Sequence, residues 1–381
     1  MAASTTSLRS LVFSTYKRAA TAGALTFSET EVHNIAHDGI NYQIRYAPNL
    51  LKKPIGAAQP QNPSHSAPPN PTPKPNPFLP PNPALYVTAI PRSHYLVLNK
   101  FPVIPGHFIL ATNDFEKQSC PLAVGDLEGV LSVLRGWETD SSEQVDGGDD
   151  DGAKEYRCLY GFFNSGKESG ASQPHRHLQF VPLTRSEMDG LWATQLFGSN
   201  PGENGVVEGR IGDLKVRYQS KVMYKHYFTR IPSDCKPEEL WKMYSTLLSL
   251  AEYTLSHPTT PADVVLKEVN EQWDTISTTQ RPMDIDVPFS YNMSFSRGWM
   301  GILPRTAETV YVVDQDEDSG AVVDGFAIKC PGLNLNGTAM AGMTLIRTRK
   351  EMDVVLADPG RIARTVGGIG VPQQDTNRAS L

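Results

Sequence analysis

The segment SQPHRHLQFV, residues 172–181, places two histidines and a glutamine at alternate positions. Residues 175–183 are predicted to form a strand, and alternate side chains of a strand share one face. His175, His177 and Gln179 then point to one side, about 6–7 Å apart along the chain. Leu178 and Phe180 point to the other side, toward a core. Three interpretations fit this pattern: a metal site, a histidine nucleophile with its supporting groups, or the polar face of an ordinary strand.

The nucleophile hypothesis needs the fewest additional groups. Two alternate histidines can ligate zinc, but zinc needs a third and fourth ligand, and no cysteine or carboxylate nearby in the sequence completes such a set. A neutral imidazole attacks phosphorus readily at neutral pH. A second group can fix its tautomer, and the Gln179 amide can donate to a phosphoryl oxygen. The polar strand face stays open as the alternative.

The segment NSGKESGAS, residues 164–172, precedes this strand and contains Gly166, Lys167 and Gly170. Such a loop can expose backbone N–H groups to phosphate oxygens, and glycine lets an anion come close. An ordinary turn is the alternative interpretation. The position of the loop directly before the two histidines favours phosphate binding.

The elements around this segment predict an α+β fold with a mainly antiparallel sheet, flanking helices and a C-terminal extension. Strands are predicted over 84–90, 94–100, 107–112, 157–166 and 175–183, and helices over 122–137 and 237–255. Residues 289–306 resemble a hairpin, and no internal repeat is evident in the sequence.

Two segments are predicted to be insertions. Residues 54–83 contain twelve prolines and predict an extended, mobile loop. Residues 138–155 are acidic and glycine-rich, which predicts disorder. The chain then divides into an N-terminal helix and strand segment (1–53), the Pro-rich insertion (54–83), a core (84–190) that contains the acidic insertion, and a C-terminal region (191–381).

Composition restricts the function classes. The chain has 381 residues, 39% hydrophobic residues, four well-separated cysteines and a net charge of -6. This charge argues against a general nucleic-acid binder, and the cysteines predict neither a zinc site nor a disulfide framework. No apolar run has the length of a membrane span. Residues 1–28 are rich in Ser, Thr and Ala, and we expect a first helix there, with a mitochondrial transit peptide as the alternative.

Two blocks of the sequence resemble the histidine-triad superfamily. They are LVLNKFPVIPGHFILAT (96–112) and FNSGKESGASQPHRHLQFVPL (163–183), and the His-x-His-x-Gln order resembles the glutamine branch. The chain is similar to the fungal ATP adenylyltransferases, also called diadenosine tetraphosphate (Ap4A) phosphorylases. The segments 44–54, 291–306 and 336–348 extend the resemblance over most of the chain.

The resemblance implies a reaction and roles for site residues. Ap4A and phosphate would give ATP and ADP, reversibly, with His177 as the nucleophile that forms a nucleotidyl intermediate. His175 would support it, and Gln179 would replace the histidine of hydrolytic members. Because glutamine shuttles protons poorly, phosphate would then be a better acceptor than water. The implied substrate contacts are Lys53, Asn99, Lys100, Asn164, Ser169, Gly170, Ala171, Ser172, Asn292, Met300 and Arg305.

The competing functions are a hexose-1-phosphate uridylyltransferase, a dinucleoside polyphosphate hydrolase and an inactive nucleotide-binding regulatory module. Gln179 argues against the hydrolase, and the absence of cysteine and histidine clusters argues against the uridylyltransferase. The mechanism requires no cofactor, although Mg²⁺ is expected to accompany the polyphosphate. We expect a cytoplasmic monomer, with a nuclear pool or mitochondrial import as alternatives, that binds neither nucleic acid nor membrane and whose partners are Ap4A, ATP, ADP and phosphate.

Overall fold

A ten-stranded sheet forms the centre of the protein. The structure is a computed structural model that describes residues 7–52, 75–138, 155–278, 281–312, 320–323, 326–329 and 332–373. Across the sheet the strands follow the order β3-β4-β5-β7-β6-β11-β12-β10-β9-β8, and every neighbouring pair is antiparallel. The expected α+β fold with a large antiparallel sheet is confirmed.

The strands of this sheet are β3 (Tyr86–Ile90), β4 (His94–Leu98), β5 (Phe108–Thr112), β6 (Cys158–Ser165), β7 (His177–Leu183), β8 (Val206–Ile211), β9 (Leu214–Gln219), β10 (Tyr227–Arg230), β11 (Ser290–Phe295) and β12 (Trp299–Arg305). A second sheet joins β1 (Glu31–His37), β2 (Ile40–Tyr46) and β17 (Met343–Ile346). Two small pairs consist of β13 (Thr309–Val310) with β16 (Leu333–Asn334) and β14 (Gly320–Val323) with β15 (Phe326–Lys329).

The helices are α1 (Leu8–Thr21), α2 (Val124–Glu138), α3 (Arg185–Gly190), α4 (Trp192–Gly198), α5 (Pro237–Ser256), α6 (Ala262–Glu271), α7 (Trp273–Thr278), α8 (Arg349–Ala357) and α9 (Pro359–Gly367). In the described residues, short 3-10 turns cover Pro48–Lys52, Lys167–Ser169 and Gly337–Ala341. None of the helices in the described part of the chain is long and apolar enough to cross a membrane.

Local sequence explains the longest helix, α5. Pro237 occupies its first turn, where a backbone N–H would have no partner within the helix. The carboxylates of Glu238 and Glu239 are stabilised there by the positive end of the helix dipole. Leu240, Tyr244 and the residues at matching spacing are buried. This apolar stripe packs α5 against α2 and against the sheet.

The sheet separates two hydrophobic cores. Helices α1, α2, α5 and α6 cover one face, and Leu178 and Phe180 of β7 point into that core. Helices α3, α4, α8 and α9 contribute to the second core on the opposite side, into which Val181 points. The predicted alternation of side chains along β7 is therefore observed, and it places His177 and Gln179 on the side away from α2.

The large sheet consists of two halves with the same topology. In each half, three strands are followed by a long helix and two more strands, and the strands lie in the order first-second-third-fifth-fourth. The halves meet where β6 pairs with β11, and Phe162 lies directly opposite Ser294. A pseudo-twofold axis through this pair relates the halves, although the sequence shows no repeat.

Most predicted elements are found at their expected positions, including the first helix, α2, α5 and the hairpin β11–β12. Strand β7 begins at His177 instead of His175, because His175 pairs separately with Lys117 in an isolated bridge. Most of the acidic insertion, 139–154, and residues 53–74 lie outside the described residues. The prediction of a mobile loop up to residue 83 is wrong for 75–83, since Phe78 is buried and Asn76 binds a histidine of the triad.

Candidate active site

His177 is held as a neutral imidazole with one free nitrogen. Its Nδ1–H donates to the backbone oxygen of His175 at 2.8 Å, which leaves the lone pair on Nε2. The side chain is 2% exposed, and burial lowers its pKa to about 4. The hydrogen bond to His175 opposes that shift only in part. The free Nε2 atom is therefore unprotonated at neutral pH, as a nucleophile requires.

Gln118 fixes the backbone of this strand. Its Oε1 accepts the N–H of His177 at 2.7 Å, and its Nε2 donates to the oxygens of Asn164 and His177 at 2.7 and 3.1 Å. The amide therefore ties β7 to the end of β6. No sequence pattern singled out Gln118, because an isolated glutamine outside a recognised motif carries no signal of burial.

His175 has a supporting position. Asn76 donates to Nδ1 at 2.9 Å, and His175 Nε2–H donates to the carbonyl oxygen and the hydroxyl of Thr112, both at 2.9 Å. The Thr112 hydroxyl in turn donates to the oxygen of Asp114. Burial lowers the pKa of His175. Both ring nitrogens of His175 are hydrogen-bonded, so this histidine has no free nitrogen for nucleophilic attack. Its role is to orient its own backbone carbonyl, which accepts the Nδ1–H of His177.

Gln179 is the third member of the predicted triad, and a histidine that the sequence analysis did not assign contacts it. His107 Nε2 lies 3.1 Å from Gln179 Oε1, and His107 Nδ1 lies 3.2 Å from Asn99 Nδ2. Burial lowers the pKa of His107 to about 4. Strand pairing explains the contact: Ile109 lies opposite Gln179, so His107, two residues earlier, shares the face of Gln179.

A cleft of about 1300 Å³ opens in front of His177 and Gln179. Its lining is mainly apolar, and the Phe78 ring lies 5.2 Å from the ring of His177. Polar and charged groups also line it. The lining side chains that matter here are Asn76, Phe78, Asn82, Leu85, Val97, Leu98, Asn99, Lys100, Ile109, Phe115, Ser172, His177, Gln179 and Arg347. Such a cleft has room for a nucleoside on its apolar surface and for an anionic group of the same ligand beside the lysine and arginine side chains.

A second concave surface of about 520 Å³ adjoins the cleft and shares Phe115 and Ser172 with it. It is lined by Lys117, Lys167 and the glycine-rich loop. Ala171 and Ser172, predicted as substrate contacts, line this surface. The arrangement brings two lysines beside the cleft, where Lys117 lies 3.5 Å from Asp286 and Lys167 lies 3.7 Å from Glu168.

The predicted contacts Asn164, Asn292 and Arg305 form a buried network behind the loop. Asn292 Nδ2 donates to Asn164 Oδ1 at 2.9 Å and to the oxygen of Ser169 at 2.8 Å. The Arg305 guanidinium donates to Asn292 Oδ1 and, at 2.9 Å, to the oxygen of Leu335. None of the three lines the cleft, so the structure does not show them in contact with a substrate. They instead support the glycine-rich loop 164–172, which Asn292 binds through the oxygen of Ser169.

Ser169, Gly170 and Met300 also lie away from the lining. The Ser169 hydroxyl is buried and donates to Gly166 at 2.6 Å. Gly170 has φ +78°, and a Cβ there would come within 2.7 Å of the Leu335 oxygen. Met300 is 1% exposed within the core under α5, because it lies on the opposite face of β12 from Trp299. Predicting Met300 as a substrate contact was therefore wrong.

The remaining predicted contacts are divided. Asn99 and Lys100 line the cleft as expected, and Lys53 lies outside the described residues. Arg347, which the sequence analysis did not select, also lines the cleft and is 8% exposed. One of its nitrogens donates to the oxygen of Gly332 at 2.7 Å. Within the described part of the chain, no group of three or more His, Cys, Asp or Glu side chains is arranged to hold a metal ion.

Only the first half of the duplicated sheet carries this chemistry. Gln179 lies opposite Phe162, and Gly301 lies opposite Ser294, so the pseudo-twofold axis relates Gln179 to Gly301 and His177 to Trp299. The same registers relate His107 to His226. Trp299 and Gly301 offer neither a nucleophile nor an amide, and Trp299 packs in the second core.

The ten-stranded antiparallel sheet with His-x-His-x-Gln at the start of β7 defines a nucleotidyl transferase site of the histidine-triad class. The family models agree: the Ap4A phosphorylase N-terminal domain matches residues 1–192, and the ATP adenylyltransferase C-terminal domain matches residues 220–372. The chain belongs to this family of Ap4A phosphorylases and ATP adenylyltransferases.

Named relatives and solved structures extend the comparison. The chain is 26% identical over 287 residues to diadenosine 5',5'''-P1,P4-tetraphosphate phosphorylase 2 of Saccharomyces cerevisiae, covering 74% of this chain and 70% of the relative. It is 30% identical over 185 residues to Protein APA1 of the same yeast, covering 46% of this chain and 49% of that protein. Its fold is similar to the crystal structure of yeast Ap4A phosphorylase Apa2, with a TM-score of 0.64, 21% identity and coverage of 97% and 98% of the two chains.

Proposed function

We propose that this protein phosphorolyses Ap4A to ATP and ADP through a nucleotidyl intermediate on His177. The observation that carries the proposal is the tautomer of His177: its Nδ1–H is bound to a backbone oxygen, so Nε2 is a neutral, unprotonated nitrogen at the cleft. The family membership and the yeast relative named as an Ap4A phosphorylase support the same reaction.

The steps balance without a cofactor. His177 Nε2 attacks the phosphorus next to one adenosine, and the bond from that phosphorus to the bridging oxygen breaks. ATP leaves with the bond's electron pair, and AMP stays on the imidazole. Phosphate then attacks the same phosphorus, which forms ADP and returns the lone pair to Nε2. Because the pKa of His177 is lowered to about 4, no proton has to leave it before attack.

The cleft offers groups for each part of the substrate. Phe78, Leu85 and Val97 provide apolar surface for an adenosine. Lys100 and Arg347 on the cleft walls, with Lys117 and Lys167 beside it, provide positive charge for the phosphates. We further propose that Mg²⁺ enters with the polyphosphate, since a divalent ion neutralises the charge that develops on the transferring phosphoryl group and on the departing triphosphate. The internal duplication also supports a monomer as the working unit.

The test is to incubate the purified protein with Ap4A, with and without phosphate, and to separate the nucleotides by chromatography. ATP and ADP formed only with phosphate, and lost in His177→Ala, would support the proposal. AMP and ATP formed without phosphate would identify a hydrolase instead. A Gln179→His variant tests the acceptor argument: unchanged phosphorolysis with no gain in hydrolysis would contradict the role given to glutamine.

A further inference from the structure

We propose that Asn99 and His107 are positioning residues that fix which end of the Gln179 amide faces the cleft. The role in catalysis rests on the proposed function, whereas the hydrogen-bond chain itself belongs to the protein without substrate. Four groups form one directional chain: the backbone N–H of Phe101, the Asn99 amide, the His107 ring and the Gln179 amide. Its last group is the one that would meet the substrate.

The direction of this chain is set at its first bond. The backbone N–H of Phe101 can only donate, and it lies 2.9 Å from Asn99 Oδ1. The Asn99 amide therefore presents its Nδ2 hydrogens to His107 Nδ1 at 3.2 Å. Nδ1 must accept, so the ring proton of neutral His107 is on Nε2. That N–H donates to Gln179 Oε1 at 3.1 Å.

The consequence is a fixed polarity at the reacting phosphorus. With its oxygen bound to His107, Gln179 keeps its two Nε2 hydrogens for the cleft, which it lines next to His177. Two N–H donors aimed at phosphoryl oxygens stabilise the charge that develops during transfer. If the amide were reversed, its carbonyl oxygen would repel those oxygens. Asn99 thus acts through His107, and the contact that the sequence suggested between Asn99 and substrate is not needed for this role.

The related position in the second half provides an internal comparison. His226 carries the opposite tautomer: its Nδ1–H donates to the oxygen of Tyr224 at 2.8 Å, and its Nε2 accepts the N–H of Gln219 at 2.9 Å. The same fold position therefore does not dictate the tautomer of His107. The asparagine at residue 99 does.

The direct test is ¹⁵N NMR of the full-length protein with labelled histidine, assigned by the resonance lost in His107→Gln. We expect the proton of His107 on Nε2 and that of His226 on Nδ1. A proton on Nδ1 of His107 would overturn the proposal. This readout needs no catalytic activity, so it separates failure of the relay from failure of the proposed reaction.

The functional test uses Asn99→Asp, with Asn82→Asp as the matched control. Both asparagines line the cleft, and each side-chain oxygen accepts the backbone N–H two residues ahead at 2.9 Å. Each variant therefore adds one negative charge to the cleft and keeps this local hydrogen bond. In Asn99→Asp the new carboxylate can only accept, so Nδ1 of His107 must now carry a proton, and the adjacent negative charge raises the pKa of the ring into the neutral range.

The variant should therefore become pH-dependent. At low pH the charged His107 ring still donates Nε2–H to Gln179, and the amide keeps its direction. As the pH rises, Nε2 loses its proton, Gln179 must donate to it, and its oxygen turns to the cleft. We expect kcat/KM of Asn99→Asp for Ap4A, relative to that of Asn82→Asp, to be about 10²- to 10³-fold lower above the pKa of His107 than below it. Among the described residues, Lys100 and Arg347 are the cations that line this cleft, and both are unchanged in the two variants. A ratio constant with pH would overturn the relay.

Discussion

At the scale of single residues, His177 depends on polar contacts that lie behind it. The Nδ1 contact chooses the tautomer, and burial keeps the ring neutral. Gln118 then holds the peptide on which both features depend. Its side chain is 4% exposed, so all three backbone groups that it binds are sheltered from water.

Replacing Gln118 with methionine removes these hydrogen bonds at similar volume. The N–H and carbonyl of His177 and the carbonyl of Asn164 then lose a partner in a buried place, and we expect the free energy of unfolding to fall by about 3 kcal/mol. We also expect kcat to fall at least about tenfold, because His177 loses its fixed position. Urea denaturation and steady-state kinetics measure both effects.

The matched control is Gln195→Met on α4, where the side chain is exposed and donates to Asp189 at 3.3 Å. It should change neither quantity appreciably. If Gln118→Met loses stability but keeps the wild-type kcat, the amide supports the fold alone and not the alignment of His177.

At the scale of elements, the segment 75–85 completes the site although most of its sequence predicts a loop. Asn76 binds His175, and the Phe78 ring lies 5.2 Å from that of His177. The Tyr95 hydroxyl donates to the oxygen of Phe78 at 2.7 Å and anchors the segment to β4. Proline spacing indicates an extended chain but gives no sign of where it docks.

Phe78→Ala should move the acid limb of the pH profile. With the ring removed, water reaches His177, and its pKa rises from about 4 toward the ordinary value near 6.5. The protonated ring cannot attack phosphorus, so activity is lost as the pH falls through this pKa. We therefore expect kcat for phosphorolysis to begin to fall at a higher pH in the variant than in the wild type.

Leu79→Ala is the control for this prediction, since Leu79 is exposed and follows Phe78 without lining the cleft. Its pH profile should coincide with that of the wild type. An acid limb that stays in place in Phe78→Ala would mean that the ring does not shield His177, whatever happens to the KM for Ap4A.

The elements also show what the sequence could predict. Alternation along 175–183 placed His177 and Gln179 on one face, because a buried strand has period two. The same pattern could not separate Asn164 and Asn292 from true contacts, since a polar side chain in a network and one facing substrate look alike in sequence. Only the pairing of β6 with β11 brings these two residues opposite each other.

At the scale of the whole molecule, the two halves of the sheet share their strand topology and register but not their side chains. The pseudo-twofold axis relates Phe162 to Ser294, whose side chains differ, and no internal repeat is evident in the sequence. Topology and register persist because backbone hydrogen bonds of the ladder do not depend on side-chain identity. The second half keeps the related His226 as a structural residue between Tyr224 and Gln219.

Three of the histidines buried in the described part of this duplicated fold should make it sensitive to acid. Burial lowers the pKa of His107, His177 and His226 to about 4 each, whereas the unfolded chain has values near 6.5. Between these limits the unfolded state binds more protons. The stabilisation is thus fully present above about pH 6.5 and is lost as the pH falls toward 4.

His226→Gln should weaken this dependence by one proton. The slope of the unfolding free energy against pH near pH 5 should decrease by about 1.4 kcal/mol per pH unit, while stability at neutral pH changes in a pH-independent way. Chemical denaturation at a series of pH values gives both slopes. His257→Gln, at an exposed position after α5, is the control and should keep the wild-type slope. Equal slopes in all three proteins would show that His226 takes up no proton on unfolding, and that its neutral state does not contribute to the acid sensitivity of the fold.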